Sequence, residues 1–223
     1  MNKYFFYKIY HYLFGEKFYK KLIYNFDRKI NRTQIIQSTI DRFGYKRYLE
    51  IGCDKDQNFS KIRCYSKIGV DPVSGGNIRM TSDKFFDQNN KYFDCIFIDG
   101  LHIYNQVKKD ILNSLNVLNN SGVIFVHDCM PSSFMQQAVP RARSLWTGDV
   151  WKAIVDLRSY EEIDICVCNV DMGLGVIKKR QNQNKLKLNT NPKNLKFKDY
   201  FYNYKKMLNL IDLEKLDFFL KNK

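Results

Sequence analysis

Two continuously apolar segments that each end in an acidic residue constrain the fold of this chain more than any other feature. In the segment FDCIFID the apolar run CIFI is followed by Asp99, and in the segment VIFVHD the apolar run VIFV is followed by His127 and Asp128. Between them, apolar residues recur at helical spacing, at Val107, Ile111 and Leu115. Uninterrupted apolar runs are typical of strands buried on both faces, and such strands joined by helices form parallel sheets. The chain is therefore predicted to be an α/β protein, with a parallel sheet covered by helices on both faces.

The alternation of strands and helices extends in both directions along the chain. Its 223 residues suit one domain with extensions at its ends. We expect further strands at 47–52, 65–71 and 77–80, and an antiparallel pair at 163–170 and 173–177. Helices are expected at 103–118 and 151–158, followed by a linker or strap at 181–198 and a helical tail at 200–220. The predicted division is an aromatic and basic helical extension at 1–44, an α/β domain at 45–180, and a linker with a packed helix at 181–223.

The net charge of +14 raises the question of nucleic-acid binding, but its distribution disfavours it. Residues 1–50 carry eleven Lys or Arg against four acids, and residues 178–223 carry thirteen against four. The stretch between them is slightly acidic. A protein that grips nucleic acid across its active face would carry positive charge through the middle as well. We therefore do not expect nucleic acid as a partner.

The sequence favours a cytoplasmic location. Its six cysteines form no CxxC pair, so buried free thiols are expected, as in a reducing compartment. The N-terminal stretch lacks an apolar core and a cleavage site, and no run reaches transmembrane length. Its mixture of aromatic and basic residues is compatible with a membrane surface. A helix that packs its aromatic face on its own domain is the interpretation we favour.

Polar residues gather where the predicted strands end. In an open parallel sheet, ligands bind beyond the carboxyl ends of the strands, so residues far apart in sequence meet at one edge. An acid at the end of the second strand, here Asp71, can accept hydrogen bonds from both ribose hydroxyls of a nucleoside. Gly52, in the first turn, would let the backbone approach a cofactor closely. The strand-end residues are Glu50, Gly52, Asp71, Ser82, Asp83, Asp99, His102, His127 and Asp128.

Five motifs in order resemble small bacterial class I methyltransferases, many of which belong to sugar and natural-product pathways: YLEIG, IGVDP, MTSDKFF, FIDGLHIYNQVKKDI and GVIFVHDCMP. The resemblance covers about residues 45–177. It implies a Rossmann-like, mostly parallel seven-stranded sheet with an antiparallel terminal strand, and S-adenosylmethionine lying over the first two strands. The expected cofactor-binding residues are Glu50, Gly52, Asp71, Ser82, Asp83 and Asp99. The chain departs from the family at Asp56, where a glycine is usual.

The resemblance also implies roles for the second half of the site. In metal-dependent O-methyltransferases, an acid after one strand and an acidic pair after the next hold a divalent ion, which matches Asp99, His127 and Asp128. In macrolide-sugar members, a histidine three residues after the first acid is the general base, and His102 matches it. The expected catalytic residues are therefore His102 and Asp99. A histidine at position 127 makes Mg²⁺ less expected and Mn²⁺ or another transition ion more so.

Methyl transfer to an alcohol requires removal of the hydroxyl proton, for which a histidine with a pKa near neutrality is suited. The expected acceptor is a hydroxyl of a sugar or other small molecule. Two alternatives stay open: an RNA or protein methyltransferase, and a degenerate fold that serves as a binding module. The oligomeric state also stays open, a homo-oligomer included.

The long segment 130–150 is predicted to form a lid or a substrate wall. Arg141 and Arg143 there are equally compatible with an anionic acceptor group and with plain surface charge. Trp146 could stack on an acceptor ring, whereas Trp151 is expected to pack in the core.

Overall fold

The computed structural model describes residues 4–26 and 30–221. The remaining residues of the two predicted extensions, 1–3, 27–29 and 222–223, lie outside the described residues. No helix within the described ranges has both the length and the hydrophobicity that a membrane crossing requires.

Seven strands of the described chain form one sheet in the order β2-β1-β3-β4-β6-β5-β7. β1 pairs in parallel with β2 and β3, and β3 pairs in parallel with β4. β6 is antiparallel to both β4 and β5. The strands are β1 (Arg47–Ile51), β2 (Ser66–Val70), β3 (Phe93–Ile98), β4 (Leu118–Val126), β5 (Ile163–Cys168), β6 (Leu174–Lys179) and β7 (Leu210–Ile211). The predicted mostly parallel α/β sheet with one antiparallel late strand is confirmed.

Helices cover both faces of this sheet, because the buried strands present apolar side chains on both sides. One core contains residues of α3, α4, α6 and α7, and the other contains residues of α2 and α8. The helices are α1 (Phe5–Phe14), α2 (Arg32–Phe43), α3 (Ser82–Gln88), α4 (Tyr104–Asn116), α5 (Phe134–Gln137), α6 (Val150–Leu157), α7 (Phe197–Leu208) and α8 (Leu213–Lys221). Trp151 is fully buried, as expected.

Three details differ from the sequence-based expectations. The predicted strand at 77–80 is reduced to a single bridge between Val70 and Ile78. The helical tail is interrupted at Asn209, whose left-handed conformation (φ 48°) ends α7 and lets β7 pair with β5. The antiparallel strand β6 lies inside the sheet, between β4 and β5, rather than at its edge.

The aromatic side chains of α1 do not pack on the domain as we expected. Only His11 of this helix is buried, while Phe6 and Phe14 are 65% and 75% exposed. α2, in contrast, is firmly placed: Asn31 and Gln34 form a capping box at its start, and Ile35, Ile36 and Ile40 are buried. The start of α2 therefore has a fixed position relative to the sheet.

Candidate active site

A cavity of about 810 Å³ lies beyond the carboxyl ends of β1, β2 and β3. Six of the residues that the sequence predicted line it: Gly52, Asp71, Ser82, Asp83, Asp99 and His102. Glu50, His127 and Asp128 do not line the cavity, and each is at most 4% exposed. The strand-end rule thus brings most of the predicted residues to one cavity and leaves three behind its wall.

The first loop of the cavity needs a glycine at position 52. Gly52 has a φ of 86°, and a Cβ there would lie 2.4 Å from the carbonyl oxygen of Asp99. No other residue allows these two strand ends to come so close. The loop therefore brings the main chain of β1 against the start of the segment that carries His102.

Asp71 connects the loops that follow β1 and β2. Its Oδ2 accepts hydrogen bonds from the backbone N–H groups of Cys53 and Asp54, both at 3.0 Å. Its Oδ1 accepts two more, from Val73 at 2.8 Å and Ser74 at 2.9 Å. Burial disfavours the charged carboxylate, but these four donors outweigh it and lower the pKa of Asp71. Its ribose-binding role stays a prediction.

Asp56, where the sequence analysis expected a glycine, has a left-handed backbone conformation. Its φ is 58°, in a region that glycine adopts freely and that aspartate tolerates better than most residues. Its Oδ1 accepts a hydrogen bond of 2.6 Å from the backbone N–H of Gly76. Asp56 therefore links the loop after β1 to the loop after β2.

Glu50 is buried behind the cavity rather than in its wall. Its Oε2 accepts hydrogen bonds from the hydroxyl of Tyr48 at 2.5 Å and from Nδ2 of Asn58 at 2.8 Å. Burial raises the pKa of Glu50 to about 7, although both hydrogen bonds act against that rise. The structure thus shows a role in fixing the first loop, and direct cofactor binding by Glu50 stays a prediction.

Ser82 and Asp83 stand at the start of α3 and form one polar wall of the cavity. Nε2 of Gln106 donates to Oγ of Ser82 at 3.2 Å, to Oδ1 of Asp83 at 3.1 Å and to Oδ1 of Asp110 at 3.0 Å. Burial raises the pKa of Asp110 to about 6. This network fixes several oxygen acceptors in the wall of the cavity.

His102 lies in the cavity wall between two carboxylates. Its Nε2 is 3.2 Å from Oδ1 of Asp99, and its Nδ1 is 3.2 Å from Oδ2 of Asp128. The ring of Trp146 stacks on it, with centroids 5.5 Å apart. Burial alone would lower the pKa of His102, but the two carboxylates prevail and raise it.

His127 lies directly behind this pair, and protein groups occupy both of its ring nitrogens. Nδ1 is 3.3 Å from Oδ1 of Asp99 and 3.4 Å from Oδ1 of Asp128. Nε2 is 3.7 Å from Oδ1 of Asp171 and 3.4 Å from Nη1 of Arg32. Burial opposes a charge here, but the surrounding carboxylates raise the pKa of His127 to about 10. This ring is therefore an imidazolium at neutral pH.

Sequence reasoning missed Arg32 and Asp171, which complete this charged cluster. Nη1 of Arg32 donates to Oδ2 of Asp171 at 3.0 Å, and its Nη2 lies 3.9 Å from Oδ2 of Asp99. Asp171 follows β5, which runs parallel to β4 because both are antiparallel to β6. The strand-end rule would have indicated Asp171 if the direction of β5 had been known. Arg32, the first residue of α2, carried no signal of this kind.

Asp99 and Asp128, two of the three predicted metal ligands, have the spacing of a metal site together with His102 rather than with His127. Asp99, His102 and Asp128 each offer a ligand atom, and these three atoms lie within 4.8 Å of one another. Oδ1 of Asp128 is buried and accepts no hydrogen bond from the described residues. His127 is outside this group. A metal role for Asp99, His127 and Asp128 stays a prediction that the contacts of His127 do not favour, since an imidazolium has no free lone pair.

The loop between β4 and α6 closes over His102. Oδ1 of Asp149 accepts a hydrogen bond of 2.7 Å from the backbone N–H of Tyr104, at the start of α4. Gly148 has a φ of 58°, and a Cβ there would lie 1.7 Å from the carbonyl oxygen of His102. Arg141, above the ring of Trp146, also lines the cavity. The predicted wall segment therefore contacts the predicted base from two sides.

Comparison with known proteins agrees with this arrangement. A family model described as a methyltransferase domain matches residues 33–129. The fold resembles the Podospora anserina methyltransferase PaMTH1, solved with S-adenosylhomocysteine (TM-score 0.51, 15% identity, 81% of this chain and 97% of that one). It also resembles the O-methyltransferase TomG from Streptomyces achromogenes, solved with S-adenosylmethionine (TM-score 0.50, 10% identity, 67% and 79% covered). No curated protein matches the sequence at a significant level.

Proposed function

We propose that this chain is a class I S-adenosylmethionine-dependent methyltransferase that methylates a hydroxyl of a sugar or another small molecule. The observation that supports this most is the position of His102, which lines the cavity while a buried carboxylate, Asp128, contacts its inner nitrogen. In this proposal the unit at 45–180 holds both substrates, and the parts at 1–44 and 181–223 are extensions of it.

The loops around the cavity suit the cofactor. Gly52 lets the ends of β1 and β3 approach each other closely, and Asp71 and Ser82 line the same cavity with oxygen acceptors. We assign the nucleoside to this side, with Gly52, Asp71, Ser82 and Asp83 as its contacts. When bound, S-adenosylmethionine supplies a methyl group on a positively charged sulfur.

His102 is assigned the role of general base. Asp128 is on the buried side of the ring, so Nδ1 is held there and Nε2 is left beside Asp99 at the cavity wall. In this proposal the acceptor hydroxyl takes the place of Oδ1 of Asp99 beside Nε2 and gives its proton to the neutral ring, and Asp128 stabilises the resulting imidazolium. Trp146 and the loop behind it hold the plane of the ring, which aligns the acceptor for an in-line displacement.

A divalent ion fits this cluster poorly. An ion held by Asp99, His102 and Asp128 together would occupy His102, and a ligated imidazole cannot also accept the acceptor's proton. It would also compete for Oδ1 of Asp128 with the His127 imidazolium, 3.4 Å away. Arg32 and His127 already place two positive charges beside the carboxylates of Asp99, Asp128 and Asp171. We therefore assign the chemistry to protein groups alone.

The test begins with cofactor binding, which needs no knowledge of the acceptor. Calorimetry should show that S-adenosylmethionine and S-adenosylhomocysteine bind to the wild type and equally to His102→Ala. Formation of S-adenosylhomocysteine is then measured against sugar nucleotides, free sugars and phenols. His102→Ala should lose turnover by about two to four orders of magnitude.

Two results would overturn the proposal. Failure of both nucleosides to bind the wild type would indicate a fold kept for another purpose. An active His102→Ala enzyme would show that the base lies elsewhere. Gln106→Ala, which removes the hydrogen bonds to Ser82 and Asp83, is the matched control, because it should weaken cofactor binding more than it lowers turnover at saturation.

A further inference from the structure

An aromatic and basic surface covers α1 and the extended segment after it, and we call residues 5–23 the N-terminal patch. Six of its large apolar or aromatic side chains are between 57% and 97% exposed: Phe6, Tyr12, Leu13, Phe14, Tyr19 and Ile23. Single exposed apolar residues are ordinary, but a contiguous group of this size marks an interaction surface.

His11, the buried residue of α1, attaches this helix to the domain. Nε2 of His11 is 2.7 Å from the carbonyl oxygen of Pro140, and its ring packs edge-on against Phe134 at 5.7 Å. Beside this contact is a mostly apolar cavity of about 540 Å³, lined in part by Phe5, Ile9 and Phe18. The helix is therefore held in place while most of its rings face outward.

The charge of the N-terminal patch is strongly one-sided. Lys8, Lys17, Lys20 and Lys21 are exposed. The only acid of the patch, Glu16, is already used, because its carboxylate accepts hydrogen bonds of 2.7 Å from the backbone N–H groups of Phe197 and Lys198. The partner of this surface must therefore accept aromatic side chains and neutralise lysines at the same time.

We infer that the N-terminal patch binds the surface of an anionic phospholipid bilayer. Tyrosine, phenylalanine and leucine side chains enter the boundary between headgroups and acyl chains, and each lysine near an anionic surface adds attraction. A second copy of this chain is a poorer partner, because a symmetric contact would bring the same lysines together. The cavity beside Phe18 offers room for an acyl chain.

Membrane binding does not depend on the proposed methyl transfer, but it would determine where the candidate active site lies relative to the bilayer. α1 contacts Pro140, whose neighbour Arg141 lines the cavity at the strand ends. Binding through the N-terminal patch would therefore hold the bilayer next to the loop that covers His102. A hydroxyl acceptor carried on a lipid would reach the site from this side.

The test is co-sedimentation of the whole chain with vesicles. The wild type should bind vesicles of equal parts phosphatidylglycerol and phosphatidylcholine. Its affinity for vesicles of phosphatidylcholine alone should be lower by about tenfold or more. Phe6→Ser with Phe14→Ser should lower binding to the anionic vesicles by about tenfold or more. Phe218→Ser is the matched control, since Phe218 is 70% exposed on α8, and it should bind as the wild type does.

Charge is tested separately from the aromatic residues. Lys20→Gln with Lys21→Gln should weaken binding to anionic vesicles, whereas Lys187→Gln with Lys215→Gln removes the same charge from exposed sites outside the patch and should not. Equal binding by the two double variants would show attraction by net charge alone and overturn the inference. So would absence of vesicle binding, or a dimer in gel filtration that the Phe6 and Phe14 changes abolish.

Discussion

Oδ2 of Asp128 lies 3.2 Å from Nδ1 of His102, behind the ring and outside the cavity that His102 lines. A buried carboxylate in this position fixes the orientation of an imidazole and stabilises it once it has gained a proton. Because Asp99 adds a second carboxylate at Nε2, the pKa of His102 is raised above its ordinary value near 6.5, even though burial acts in the other direction.

The raised pKa of His102 predicts how the rate depends on pH. Only the neutral ring can take a proton, so the fraction of active enzyme grows as pH rises through the pKa of His102. We expect kcat/KM to increase with pH, with a midpoint above 6.5. The measurement is a pH profile with an acceptor found in the screen described above. A rate that falls over the same range would contradict a basic role.

Asp128→Asn tests the positioning role of this carboxylate. The asparagine amide can donate to Nδ1, which would place the ring proton on Nε2 and remove the lone pair that faces the acceptor. We expect kcat to fall roughly a hundredfold or more with little change in cofactor affinity. The midpoint of the pH profile should also shift downward, because one of the two carboxylates that raise it is gone. Loss of activity with an unchanged midpoint would indicate a merely structural role.

Metal removal should leave the activity intact. Arg32 and His127 contact the carboxylates that a divalent ion would need, so chelation removes nothing from the proposed mechanism. The measurement compares turnover before and after treatment with EDTA, together with calorimetry of Mn²⁺ binding to the wild type and to Asp128→Asn. Activity that is lost on chelation and restored by Mn²⁺ would instead assign His102 to an ion.

Gly148→Ala should displace His102 although the histidine itself is unchanged. A Cβ at this position would lie 1.7 Å from the carbonyl oxygen of His102, so the loop or the histidine must move. We expect at least a tenfold loss of turnover, since small displacements of a catalytic group have large effects. Gly44→Ala is the matched control: its φ of 64° carries similar backbone strain, but nothing lies within 4 Å. That variant should lose about 1 kcal/mol of stability and keep its turnover.

The strand-end residues show what sequence could predict and what it could not. Apolar runs that end in Asp99 and Asp128 indicated both the sheet and the edge where these residues meet. A strand buried on both faces has no polar alternation, so the pattern could not show that Glu50 lies with Tyr48 behind the cavity. Arg32 was beyond reach for another reason: its contact with Asp99 joins residues far apart in sequence and depends on how α2 docks.

Glu50 also gives the chain an unusual dependence of stability on pH. Burial raises its pKa from 4.5 to about 7 in the folded state, so between these values the folded chain holds a proton that the unfolded chain has lost. The favourable effect of this proton is complete below the unfolded pKa and disappears as pH rises through about 7. The loss amounts to about 3 kcal/mol of unfolding free energy.

Glu50→Gln should remove this dependence. Its amide oxygen can accept the same hydrogen bonds from Tyr48 and Asn58, and an amide does not ionise. Urea unfolding at about pH 5 and about pH 8 should show a smaller difference for Glu50→Gln than for the wild type, with the variant the more stable at the higher value. Glu214→Gln, at an exposed position of α8, should keep the wild-type difference. If both variants lost stability equally between the two pH values, the proton would not be held by Glu50.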